Sequence, residues 1–290
     1  MTDLVRLGVF GPSVLVGVAA ATGALDRAGL TVEEVPAVSS AQQFEALLAG
    51  ELDAVLTSPD NVLAHRDADV RILAAIDRGL GLSLFCAPGA DPAKLRGGVL
   101  AVDVPRSGFA FVAYALLARL GLHAGLDYAV LALGTTPRRA AALAAGECTM
   151  SVLNAGNDLR AEGAGCTRIS RASTLGPYVG AVLAAPGATV DGGSAALWAL
   201  TTALLETSRA LVAGRLHPAA AAVTADRLGL DDGGVRRYLR MLVDPREGLV
   251  GDGRLDQRAL HTLCWLRTAH GAPPPTLDEG LIDARFLPPV

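Results

Sequence analysis

Lysine is almost missing from this chain: Lys94 is the only one, and arginine carries the rest of its positive charge. Charged residues make up just 19% and the formal net charge is −4, so a nucleic-acid partner, which needs a broad basic face, is not expected. The four cysteines, Cys86, Cys148, Cys166 and Cys264, form no CxxC pair and no regular spacing. They therefore read as reduced thiols, not as a disulfide framework or a zinc site. No uncharged apolar run reaches the roughly 18 residues of a membrane-spanning helix, so no membrane insertion is expected. The motifs GxSxG, GxGxxG, HExxH and the P-loop do not occur. Hydrolase, nucleotide-binding and zinc-protease readings thus have no motif behind them, and no cofactor or metal is expected.

What the chain does have is apolar bulk. Hydrophobic residues are 51% of the 290, which excludes disorder through low hydrophobicity and makes room for about two domains. Arg6, an apolar stretch and Ala19–Ala21 give the opening the outline of an export signal, but Asp3 and Gly11-Pro12-Ser13 interrupt it. Leu4–Phe10 reads instead as a first strand ended by Pro12. On that reading the chain begins with its first strand and is cytoplasmic. It would be periplasmic or otherwise extracytoplasmic if a signal has been removed.

Strands and helices alternate from there. A helix over Val14–Ala28, a strand over Thr31–Pro36, a helix over Ala41–Ala49 and a strand over Ala54–Thr57 are followed by a helix from Asp60 and a strand near Arg71–Ala75. This rhythm implies a parallel sheet covered by helices. It restarts at Gly98–Val104, with helices over Phe109–Leu120 and Pro137–Ala145 around a strand at Tyr128–Leu133. The two passes align without a gap: Ser39-Ser40-Ala41-Gln42-Gln43 through Ala49-Gly50-Glu51 lies over Thr135-Thr136-Pro137-Arg138-Arg139 through Ala145-Gly146-Glu147. The offset is 96 residues (135 against 39), and it carries Asn61 onto Asn157. Two copies of one α/β lobe are implied, since the period is far beyond the 20–50 residues of stacked repeats. A last strand at Val179–Ala185 and helices over Ala195–Gly214, Ala219–Leu228, Val235–Val243 and Gln257–His270 complete the chain. The first lobe is accordingly expected at 1–86 plus 182–290, wrapped by this helical tail, and the second at 87–181.

Ligands of open parallel sheets bind beyond the carboxyl ends of the strands, where helix N-termini point their free N–H groups. Those positions hold Ser13, Ser39, Ser40, Gln42, Ser58 and Asn61 in the first lobe, and Ser107, Thr135, Asn154 and Asn157 in the second. Arg106, with Ser107 and Gly108 after it, has the make-up of an anion clamp: a guanidinium fork, a hydroxyl and a helix N-terminus. Tyr178, at the second crossing between lobes, is placed to stack on a ligand. Asp60 and His65 are the candidate general bases should the cleft be catalytic, with Arg106 stabilising developing negative charge. Cys86 would be a nucleophile only beside a base, and His261 with Cys264 reads as core packing.

The run from Val38 to Ala64, with Ser-Ser-Ala-Gln-Gln, Leu-Leu-Ala-Gly-Glu-Leu-Asp-Ala and Thr-Ser-Pro-Asp-Asn, resembles the type II periplasmic-binding-protein fold. The branch it is most similar to holds the sulfonate, taurine and nitrate substrate-binding proteins of ABC importers and the pyrimidine-precursor synthases of thiamine biosynthesis. The ending Asp-Glu-Gly-Leu-Ile-Asp-Ala-Arg-Phe-Leu resembles that group's terminal segment. The resemblance implies an α/β fold of two similar lobes with mixed, mainly parallel sheets and a ligand cleft between them. It also implies a small polar or anionic organic ligand held by hinge closure, and an ABC permease as partner if transport is the role. The cysteine-rich motif of the thiamine-precursor synthases is missing here. The same fold is shared by cytoplasmic lyase-type enzymes, dehydratases and decarboxylases, which makes biosynthetic catalysis the alternative.

Overall fold

The computed structural model describes residues 2–278 and 280–289. In the first half of the chain, strand β1 (Asp3–Val9) leads to helices α1 (Val14–Ala21) and α2 (Ala24–Arg27). Then come β2 (Leu30–Pro36), α3 (Ser40–Leu48), β3 (Ala54–Thr57), α4 (Pro59–Ala64), β4 (Val70–Asp77) and β5 (Ser83–Cys86). The next stretch holds β6 (Val99–Val102), α5 (Gly108–Ala118), β7 (Ala129–Ala132), α6 (Thr136–Ala144), β8 (Met150–Leu153), α7 (Asn157–Gly163) and β9 (Thr167–Arg171). Strand β10 (Ala181–Pro186) precedes the tail helices α8 (Gly187–Asp191), α9 (Ala195–Val212), α10 (His217–Leu228), α11 (Asp232–Leu242) and α12 (Gln257–Ala269).

Hydroxyl caps open most of the helices that end on the cleft. Ser13, Ser39, Ser58 and Ser107 each accept a hydrogen bond from a backbone N–H of the first turn, satisfying a donor the helix itself leaves free. The single helix expected over Val14–Ala28 is two helices. Gly23 takes φ of +69°, left-handed backbone that glycine enters without steric cost, and this turns the chain between them.

Both sheets follow one plan. The first has the order β2-β1-β3-β10-β4 and the second β7-β6-β8-β5-β9. In each, the first three strands pair in parallel, and the fourth, which has just crossed from the other lobe, pairs antiparallel on both sides. The offset of 96 residues superposes α3 on α6 and β3 on β8, residue for residue. Ser83–Cys86, which the expected boundary at residue 86 left in the first lobe, is an inner strand of the second sheet. The physical reason is pairing: its backbone bonds with β8 and β9, both in the second lobe.

The tail also departs from expectation. Helix α9 packs on β1, β2 and β4 of the first sheet, and α10 and α11 extend its apolar layer through Ala220, Val235 and Leu239. Helix α12 instead packs on α5 of the second lobe. Its Leu260 and Leu263 join one continuous core with Phe44 and Val62 of the first lobe and Leu84 and Leu116 of the second. Where α12 passes the first lobe, Arg267 donates to the Asp60 carboxylate at 2.6 Å and to its backbone carbonyl at 3.2 Å, and both side chains are buried.

Removing one partner of a buried ion pair strands the other charge, whereas removing both does not. Arg267→Met is therefore expected to cost about 3–5 kcal/mol in urea unfolding at pH 7, and Asp60→Asn/Arg267→Met to recover most of that loss.

Candidate functional site

The carboxyl ends of β1, β3 and β4 in one lobe face those of β6 and β8 in the other across a cavity of about 220 Å³. Of the expected ligand-binding residues, Ser13, Ser58, Asn61, Ser107, Thr135, Asn154 and Asn157 line it. The three asparagines are oriented by their own amide N–H groups. Asn61 donates to Thr57 Oγ1 at 2.9 Å, Asn154 to the Gly79 carbonyl at 3.1 Å, and Asn157 to the Asn154 carbonyl at 3.1 Å. Their amide oxygens accept no hydrogen bond among the described residues, so they are available to a ligand N–H or O–H. The capping hydroxyls do the reverse. Each uses its oxygen on a helix N–H, which leaves its proton free to donate.

The remaining expected residues stand elsewhere, each for a local reason. Arg106 is exposed and donates to the Gly271 carbonyl just past α12, at 3.1 Å, so its fork faces away from the cavity. Asp60 is held by Arg267, and His65 stacks on Phe44 with 4.4 Å between ring centroids while its Nδ1 lies 2.8 Å from the Asn61 carbonyl. Neither borders the cavity, so neither is placed to act there as a general base. Gln42 is exposed and accepts from the Val38 N–H, and Ser39 is spent as the cap of α3. Ser40 bridges the lobes at the rim, its hydroxyl donating to Asp103 at 2.7 Å. Tyr178 is buried beside the second crossing and does not line the cavity.

The same rim shows how closely the lobes meet. The N-terminus of α5 touches that of α4: a Cβ on Gly108 would lie 2.6 Å from Asp60 Cβ and 3.0 Å from Ser58 Oγ, so this approach requires glycine.

Sequence reasoning missed the charged lining. Asp77 and Asp103, at the ends of β4 and β6, and Arg139, Arg160 and Arg227 all border the cavity, as do Phe10, Phe109 and Tyr238. Arg227 is paired with Glu34 and also donates to the Ser13 carbonyl at 2.8 Å. Arg139 has no such partner. It is fully buried, and its guanidinium donates only to the neutral oxygens of Gly134, Thr136 (3.0 Å) and Val152 (3.3 Å), with Nε unpaired. Burial lowers its pKa to about 10, so it remains a cation at neutral pH. The repeat contained this residue. Its counterpart 96 positions earlier is Gln43, equally buried, which donates to the Leu56 carbonyl where Arg139 donates to that of Val152. One position in two copies thus carries a neutral donor in one lobe and a cation in the other.

Asp77 is the buried acid of the opposite wall. It accepts from the Gly79 N–H at 2.7 Å, yet burial dominates and pushes its carboxyl up from 3.8 to about 6. Across the cleft, Asp103 Oδ1 is buried without a partner. Among the described residues no group of three or more His, Cys, Asp or Glu side chains is arranged to hold a metal ion.

No family model matches the chain, and no curated protein matches it. Solved structures do. A protein of Bordetella bronchiseptica RB50 superposes with a TM-score of 0.78 at 20% identity, over 98% of this chain and 95% of that one. The alkanesulfonate-binding protein SsuA from Xanthomonas axonopodis pv. citri, bound to MOPS, gives 0.75 at 17% identity, over 99% and 98%. The ligand-binding component of an ABC-type import system from Staphylococcus aureus, with zinc bound, gives 0.79 at 11% identity, over 98% of both chains. The chain has the two-lobe, type II periplasmic-binding-protein-like fold.

The raised pKa of Asp77 sets a pH dependence. Its folded-state value lies above the unfolded one, so the folded protein binds the proton more tightly. The stability this contributes is complete below pH about 4 and is lost as pH rises through about 6. Comparing Asp77→Asn with the parent chain by urea unfolding from pH 4 to 7 should show the parent losing stability relative to the variant, by up to about 2–3 kcal/mol.

Proposed function

We propose that this protein binds a small polar organic molecule with an anionic group in the interlobe cavity, and that the lobes close over it about the two crossings. The observation that carries the reading is Arg139, a buried cation on the cavity wall whose hydrogen bonds go only to neutral oxygens. Asp103 is close enough to favour the charged form of Arg139 but accepts no hydrogen bond from it, and an anionic ligand supplies a direct partner. The three free asparagine oxygens add acceptors for N–H or O–H groups on the same molecule, and the apolar lining excludes water around it.

Closure follows from how the rim is held. Opening the cleft parts Ser40 from Asp103 and α5 from α4, so a ligand that bridges both walls favours the closed arrangement by its own contacts to each. The general-base candidates Asp60 and His65 are engaged outside the cavity, so the reading taken is binding without turnover. The solved structures named above include an alkanesulfonate-binding protein and the ligand-binding component of an import system. They support an ABC permease as the partner of this chain, and with it an extracytoplasmic place of action in preference to the cytoplasmic one expected from the sequence.

Native mass spectrometry of freshly purified protein identifies the bound molecule, and a mass unchanged after incubation distinguishes binding from turnover. Arg139→Gln installs the residue that the first lobe already tolerates in the equivalent buried position. It is expected to fold and to lose about 10–100-fold in ligand affinity by calorimetry. Unchanged affinity in the folded variant removes Arg139 as the anchor. Small-angle scattering is expected to show a smaller radius of gyration with ligand than without.

A further inference from the structure

A second cavity, of about 310 Å³, is lined by residues of both crossings between the lobes and shares none of its lining with the cleft. Arg78 brings it the end of β4, where the chain leaves the first lobe, and Tyr178 the return into β10. The turn after α11 contributes Arg246, and the start of α12 with the segment before it contributes Arg254 and Arg258. Four arginines therefore line a space that has one acidic residue, Asp256, among its described lining. The excess is three positive charges, in a chain whose net charge is −4.

These side chains are not consumed by one another. Arg78 donates to the Leu249 carbonyl and Arg254 to that of Pro288, each through one terminal nitrogen, which leaves the rest of each fork unused. Arg258 meets Asp256 only at 3.4 Å. The Arg246 side chain has no hydrogen-bond partner among the described residues. Tyr178 is 3% exposed, and its hydroxyl has no partner either. Like charges gathered at one recess repel each other unless an anion sits among them, and planar guanidinium forks match the geometry of a tetrahedral oxyanion.

We propose that this recess is an anion-binding site for a small free oxyanion of the phosphate or sulfate type, separate from the interlobe cleft. Arg78, Arg254 and Arg258 bind its oxygens. Because the site is built on both crossings, an anion held there acts on the hinge and not on the ligand directly.

Inorganic phosphate is the probe, titrated by calorimetry at pH 7 with sodium chloride holding the ionic strength constant. One phosphate per chain is expected to bind the parent protein. Arg254 and Arg258 are exposed, so Arg254→Gln/Arg258→Gln is expected to fold and to bind roughly 10-fold more weakly for each guanidinium removed. Arg139→Gln, which alters only the cleft, is expected to leave phosphate binding unchanged. Three results overturn the proposal: no saturable binding beyond that of chloride, equal affinity in the parent and the double variant, or loss of binding in Arg139→Gln, which would put the phosphate in the cleft. Binding to phosphatidylglycerol vesicles without binding of inorganic phosphate overturns it as well, since the recess would then serve a lipid headgroup.

Discussion

A strand that leaves one lobe for the other must find backbone partners on both of its flanks, because it arrives in the interior of a sheet and not at an edge. Both crossings meet this demand in the same way. β5 enters between β8 and β9, and β10 enters between β3 and β4, each antiparallel to its neighbours. The exchange leaves the carboxyl ends of the parallel strands facing one another, and those ends are where helix N-termini, capping hydroxyls and amides collect. The cavity is a consequence of the crossing. So is the basic recess, since both are assembled from the segments that the crossings bring together.

The two lobes share a plan but not a chemistry. Gln43 and Arg139 occupy matching buried positions and make matching bonds to a β-strand carbonyl, yet only the second borders the cavity. A duplicated scaffold lets one copy keep a neutral donor for packing while the other installs a charge on the cavity wall. The hydroxyl pairs at the starts of α3 and α6 divide in the same way. Ser39 and Ser40 cap a helix and bridge the rim, while Thr135 and Thr136 line the cleft.

The rhythm of strands and helices was readable because strands buried on both faces appear as short apolar runs, as in Ala54–Thr57. Thr167–Arg171 gave no such signal. It is a partly exposed edge strand, polar in composition, and becomes a strand through its pairing with β5. Seven of the expected ligand residues reached the cavity because a helix cap or a strand tip is a local property that the backbone carries to its place. Arg106 has the same local credentials, but a long side chain swings through a wide arc, and the carbonyl of Gly271 drew it outward.

Strand–helix alternation, the duplicated lobe and the supply of hydroxyl and amide groups at strand ends follow from the chain alone, since each depends on residues close together in sequence. Which charges face the cavity does not. Asp77, Asp103 and Arg139 come from three separate strand ends or helix starts, and the lobe packing that buries them also leaves Asp60 and His65 outside. That selection is made by burial and by partners distant in sequence, which only the folded arrangement of both lobes provides.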